Sequence, residues 1–253
     1  MIRLLRPSPP LELTEAKEKE LTKKYIKTRK AVWKEPFLIK PLIQMTYNKC
    51  AYCECRLDIQ GRSTTIDHFH CKALYPEEVV SWDNLLPACI HCNANKGKID
   101  TKRYSIIDPS KDNPKDYLYL SHYMIRSKDN SLNSKGRRTI EELQLNHRER
   151  LVWPRIEIAD SLVHKLEEIH EKAQKLMLHK VINSLGISRI TQGITDLLYM
   201  VQPQAEYSAF ISAIILDNPD FNETMEILKT MELWTDDQET LYQEGCKIKF
   251  ETL

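Results

Sequence analysis

Two Cys-x-x-Cys pairs, Cys50 with Cys53 and Cys89 with Cys92, limit what this chain can fold into more than any other feature. Each pair sets two thiolates on one tight turn, and two such turns complete a tetrahedral zinc site with sulfurs about 2.3 Å from the metal. Such a staple contributes folding free energy on the order of 10 kcal/mol. It would tie together both ends of the stretch from 54 to 88. Free core thiols are the alternative, and two pairs around a coherent strand-like stretch speak against it. Cys55 competes poorly with Cys53, because Cys-x-Cys is a poorer chelate. Cys71 and Cys246 read as ordinary thiols.

Between the turns lie Asp67-His68 and Asn84-Leu85, and Asn93 directly follows Cys92. Hydrolysis of a phosphodiester needs an activated water and a cation on the phosphate, which one His and one divalent ion can supply. His68 is the candidate base beside the acid Asp67. Neighbours on a strand point to opposite sides, so the fold must twist to bring both to one site. Asn84 could hold the loop that orients the His68 ring. Asn93 offers a hard oxygen at a helix start, which favours Mg²⁺ or Mn²⁺ over softer ions.

The expected shape around this chemistry is strand, strand, helix. Residues 56–59 and 64–68 read as two strands around a turn at 60–63, followed by a loop over 69–83 and a helix from Asn93. Arg62 at the turn and Lys96 on the helix are candidate phosphate contacts. Upstream, Thr14 caps a helix running toward Trp33, and a second helix covers Phe37 to Tyr47. Downstream, 104–136 reads as irregular, with a strand near 117–120. A helix follows with Thr139 as its cap. Apolar periodicity over 151–184 predicts a long helix ended by Gly186, then three shorter ones at 189–201, 205–216 and 220–233. The fold class is therefore α+β and mostly helical, with a small zinc-stapled ββα module embedded in helical segments. The expected domains are a basic helical arm over 1–44, the zinc module over 45–104 and a mainly helical domain over 105–253.

The net charge of +1 carries no argument, but its distribution does. Residues 1–40 hold eleven Lys and Arg against five Glu, whereas residues 217–253 hold ten acids against three Lys. A basic front suits a polyanion and an acidic tail a second partner. Two of these features have plain readings as solvated helix faces. No run of about 18 apolar residues occurs, so no membrane span is expected. No signal-peptide pattern is expected at the front either. The expected compartment is the cytoplasm, where seven cysteines serve as zinc ligands and free thiols rather than disulfides.

The arrangement C-x-x-C, D-H, N-L, C-x-x-C-N-x-x-K resembles the HNH endonuclease family with its ββα-metal fold. The resemblance implies structural zinc on Cys50, Cys53, Cys89 and Cys92, a general base at His68 and the middle Asn at Asn84. It implies a catalytic Mg²⁺ or Mn²⁺ on Asp67 and Asn93, the latter replacing a final His, and a phosphate contact at Lys96. The opening MIRLLRP, IIDPS at 106–110 and GRRTIEELQLNHRERL at 136–151 further resemble the PtuB-type HNH proteins of Septu and retron antiphage defence. That likeness implies DNA or RNA as substrate and an ABC-type ATPase of the PtuA kind as partner. In the retron setting a reverse transcriptase with its RNA and DNA is a further partner. The competing reading is a zinc-knuckle nucleic-acid-binding or scaffold subunit without turnover.

Overall fold

The computed structural model describes residues 1–57, 64–179 and 184–252, and the chain divides into two compact units. The first holds Met1–Tyr117 with Arg126–Leu145, and the second Leu118–Ile125 with Asn146–Leu253. The arm and zinc module expected from the sequence both fall in the first unit, with the start of the expected third domain. Helix is the dominant structure, with two small two-stranded sheets. Among the described residues no helix is long and apolar enough to cross a membrane.

In the first unit, α1 (Glu15–Thr28) starts where expected, with Thr14 Oγ1 accepting from the Lys17 amide. It buries Leu21 and Tyr25 and ends with Arg29 in the left-handed region, φ 57°. A short 3-10 turn at Val32–Lys34 leads into α2 (Pro36–Met45), whose buried face is Leu38, Leu42 and Met45. Pro at the first helical position suits this start because its missing N–H has no partner there anyway.

The strand partner differs from the sequence expectation. β1 (Thr64–His68) pairs antiparallel with β2 (Leu85–Cys89), from Thr64 opposite Cys89 to His68 opposite Leu85. Of the expected strand at 56–59, residues 58 and 59 lie outside the described residues, and Arg56 bridges Lys49. The expected turn at 60–63, with Arg62, lies outside the described residues. Every residue of β2 is buried, so it shows no alternation and reads in sequence as a featureless apolar approach to the second turn.

Helix α3 (Ile90–Lys96) follows β2 without a loop and begins at Ile90 rather than Asn93, because Cys89 is its N-cap. β3 (Leu118–Ser121) and β4 (Met124–Ser127) form the other sheet. α4 (Lys135–Glu142) is capped by Ser134, not Thr139. Thr139 lies inside the helix and is fully buried, its hydroxyl accepting from the Ile107 amide at 2.8 Å.

The second unit is a helical bundle. α5 (Trp153–His179) packs against α6 (Ser184–Met200), α7 (Ser208–Leu216) and α8 (Pro219–Thr230). Gly186 lies within α6 rather than ending the helix before it. The final helix, α9 (Asp236–Ile248), packs on α6 and α7. The sequence reading missed it, although Thr235 and Gln238 form a capping box in the structure and show that spacing in the sequence.

Candidate functional site

The two cysteine turns meet because the backbone stitches them together. Cys50 N–H donates to Cys55 O, closing the first turn, and Glu54 takes φ 63° within it. Ala51 N–H then donates 2.9 Å to Pro87 O in the middle of β2. This docks the first turn on the strand that ends at Cys89. The sulfurs of Cys50, Cys53, Cys89 and Cys92 consequently lie within 4.8 Å of one another, all buried. Four thiolates converging in that way fit a closed structural zinc site. Hydrogen bonds from neighbouring thiols push Cys53 and Cys89 down, whereas burial pushes Cys50 up. Glu54, between the turn's cysteines, is buried and takes ion pairs from Lys49 at 3.1 Å and the Met1 amino group at 2.5 Å.

Asp67 and His68 follow one another along β1 and enter different surroundings. Asp67 is 3% exposed, and both of its oxygens are engaged. Tyr52 Oη donates to Oδ2 at 2.5 Å, and Lys96 Nζ lies 2.9 Å from Oδ1. Lys96 also donates to His68 O at 2.7 Å. Lys96, expected to face phosphate, is thus buried from α3 against β1 and is not a surface contact. Burial and the Asp67 charge raise the Tyr52 phenol, which stays protonated and donates.

His68 is 3% exposed. Its Nε2 bonds Val79 O at 2.9 Å, which leaves Nδ1 as the proton-accepting nitrogen of the neutral ring. The ring meets Trp33 edge to face, centroids 4.6 Å apart. Burial first, then the nearby Lys72 ammonium, push His68 down to about 3. It is neutral across the physiological range.

Asn84 pins the loop that carries this acceptor. Its Oδ1 accepts from His70 N–H at 2.6 Å, and its Nδ2 donates to His70 O and to Glu78 O, next to Val79. His70 is held in turn by Thr101 at 2.7 Å, as expected of a supporting group rather than a reacting one. His91 is exposed on α3. Asn93 donates its Nδ2 to Thr65 Oγ1 at 2.9 Å and lines a cleft of about 520 Å³.

That cleft also takes Trp33 and Lys34 from the turn before α2, Ile39 and Ile43 from α2, and Lys72 from the loop after β1. Trp33 and Lys72 are functional candidates that the sequence reading missed. They lie far apart in sequence, and Trp33 reads there as the end of a charged helix. A second cleft, of about 600 Å³, lies in the second unit beside Met177 and Leu178. Its polar rim includes Glu223 and Glu226, which suits no polyanion.

Asn93 thus lines the cleft and His68 meets Trp33 of its lining, whereas Asn84 is buried in the loop it pins and Asp67 and Lys96 form a buried ion pair. Arg62 lies outside the described residues. Among these residues the four cysteines are the one group of three or more Cys, His, Asp or Glu side chains close enough to share a metal ion.

No protein-family model matches the chain. The Septu protein PtuB of Bacillus thuringiensis is 37% identical over 243 residues, covering 95% of this chain and 92% of that protein. Identity at that level, over nearly the whole of both proteins, means that this chain belongs to the PtuB family of Septu proteins.

Proposed function

We propose that this protein is the nuclease subunit of a Septu antiphage defence complex. It hydrolyses phosphodiester bonds in DNA or RNA, with His68 as general base, and works with an ABC-type ATPase of the PtuA kind. Membership of the PtuB family supports the defence role, and the resemblance to HNH endonucleases supports the chemistry. The observation that carries the reading is the Nε2 bond from His68 to Val79 O, which fixes the tautomer and leaves Nδ1 as acceptor, while burial and the Lys72 charge hold the ring neutral. A base must be unprotonated before it acts. Lys72 contributes to lowering this histidine, so a phosphate that paired with Lys72 would raise its basicity when substrate arrives. Asn84 is a positioning residue, holding the loop that supplies the Val79 carbonyl.

Zinc fits the four cysteines, where it would be structural. The divalent ion implied by the HNH resemblance, Mg²⁺ or Mn²⁺ on Asp67 and Asn93, does not fit the side chains as they stand. Both Asp67 oxygens are taken, one by an ammonium. Asn93 keeps a carbonyl oxygen but is one neutral ligand, too few for a hard dication. Charge on a bound phosphate falls instead to Lys34 and Lys72.

The Asp67–Lys96 pair and the burial of His68 favour a second reading, a zinc-knuckle subunit that binds nucleic acid or scaffolds its partner without turnover. The test is a cleavage panel. Wild type and His68→Ala are incubated with supercoiled DNA, single-stranded DNA and tRNA, with Mg²⁺, Mn²⁺ or chelator, and with or without an ABC-type ATPase of the PtuA kind. Cutting lost in His68→Ala supports the nuclease. Cutting that requires Mg²⁺ or Mn²⁺ would mean that Lys34 and Lys72 do not carry the phosphate charge alone. No cutting under any condition leaves the binding subunit.

A further inference from the structure

We propose that the cleft beside His68 is a subsite for one unpaired nucleotide of a single strand. Its base stacks on Trp33, and its flanking phosphates pair with Lys34 and Lys72. The inference rests on the nucleic-acid reading above and gives it a substrate class.

The chemistry of the lining points to a nucleotide. Trp33 presents an indole, and Ile39, Ile43 and Ile66 give an apolar wall. Lys34 and Lys72 bring two ammonium groups to the same opening, neither with a carboxylate partner among the described residues. Asn93 adds an amide whose nitrogen donates to Thr65 and whose side-chain oxygen has no donor among the described residues. A flat aromatic face, two cations and a hydrogen-bonding edge match a base with its adjoining phosphates. A volume of about 520 Å³ is in the range of a small-molecule pocket, not of a groove that tracks a duplex.

The aromatic face selects unpaired nucleic acid, because bases within a duplex have both faces stacked on their neighbours. Trp33 is already held in place. Tyr25 meets its ring edge at 5.8 Å between centroids, and His68 meets it from β1. Lys72 Nζ stands 5.0 Å from the ring centroid. A phosphate that draws this ammonium away would also clear the ring for a base. The same nucleotide would then sit against the residue that edges His68, close to the candidate base.

The experiment is equilibrium binding by fluorescence anisotropy, with the full zinc-loaded chain and Ca²⁺ in place of Mg²⁺ to prevent turnover. The probes are one short labelled DNA strand, the same sequence as RNA, and that DNA annealed to its complement. The expected result is single strands bound at least about tenfold more tightly than duplex, with Trp33→Leu losing about tenfold and Trp33→Phe keeping most of the affinity. Lys34→Gln and Lys72→Gln should each lower the salt dependence by about one phosphate contact. The DNA and RNA arms show which sugar is preferred.

Equal or tighter binding of duplex overturns the inference, as does a folded Trp33→Leu that binds like wild type, or no binding to any probe. Should Trp33→Leu fail to fold, unchanged salt dependence in both lysine variants overturns it instead. A chain that binds single strands through Trp33 and never cuts would sink the nuclease reading and leave this one standing. A chain that cuts duplex regardless of Trp33 would do the reverse.

Discussion

The Lys96 ammonium lies 2.9 Å from Asp67 Oδ1 and 2.7 Å from the His68 carbonyl, with its side chain fully buried. One cation thus ties α3 to the strand that carries the candidate base. Removing one member of a buried pair leaves the other charge without compensation, at a cost of about 3–5 kcal/mol. Lys96→Met should lose stability on that scale in urea denaturation, and adding Asp67→Asn should recover part of it. A surface phosphate contact would cost about 0.5 kcal/mol or less on substitution.

The four converging cysteines predict one zinc per chain, measurable by native mass spectrometry and by metal release on thiol modification. Cys89→Ser removes one sulfur ligand while keeping at the N-cap of α3 a side-chain acceptor for the Cys92 amide. It should lose both the zinc and cooperative unfolding of the first unit. Retention of one tightly held zinc equivalent in Cys89→Ser would place the metal elsewhere.

His68 predicts a specific pH dependence. Its folded value is pushed down to about 3 from an ordinary 6.5, so between those limits the unfolded chain binds more protons. Its contribution to stability is therefore complete above about pH 6.5 and falls as the solution is acidified toward 3. The slope is at most about 1.4 kcal/mol per pH unit. Wild type should lose stability relative to His68→Gln as pH drops from 7 to 5. Parallel curves would mean that the ring is not held neutral.

Asn84 holds three backbone groups at once, at His70 N, His70 O and Glu78 O. Asn84→Ala strands them beside a buried segment, at about 1–3 kcal/mol for each group left unpaired. The stability loss should come with a loss of cleavage at temperatures where the variant remains folded, because the Val79 acceptor of His68 moves with the loop. Wild-type cleavage by a destabilised Asn84→Ala would make the residue purely structural.

The four-cysteine cluster was legible because Cys-x-x-Cys is a local pattern whose geometry depends on few other residues. The α1 cap at Thr14 was legible for the same reason. The partner of β1 was not, since the segment at 56–59 competed in sequence with the wholly buried LLPAC run at 85–89. The burial of Lys96 could not be read either. On a polar helix a lysine looks solvated, and only the packing of α3 on β1 reveals its pair with Asp67. The cleft was hidden because Trp33 and Lys72 are remote in sequence, and α9 because its acidic composition masked a capping box.

The central claim is that His68 takes the proton in phosphodiester hydrolysis. The direct test is the single-turnover cleavage rate of wild type and His68→Ala on whichever nucleic acid wild type cuts, with zinc content and melting temperature matched. A general base contributes about 10²–10⁴-fold, and a loss of that size in the folded, zinc-loaded variant is the result predicted. An equal rate from the two proteins would contradict the account.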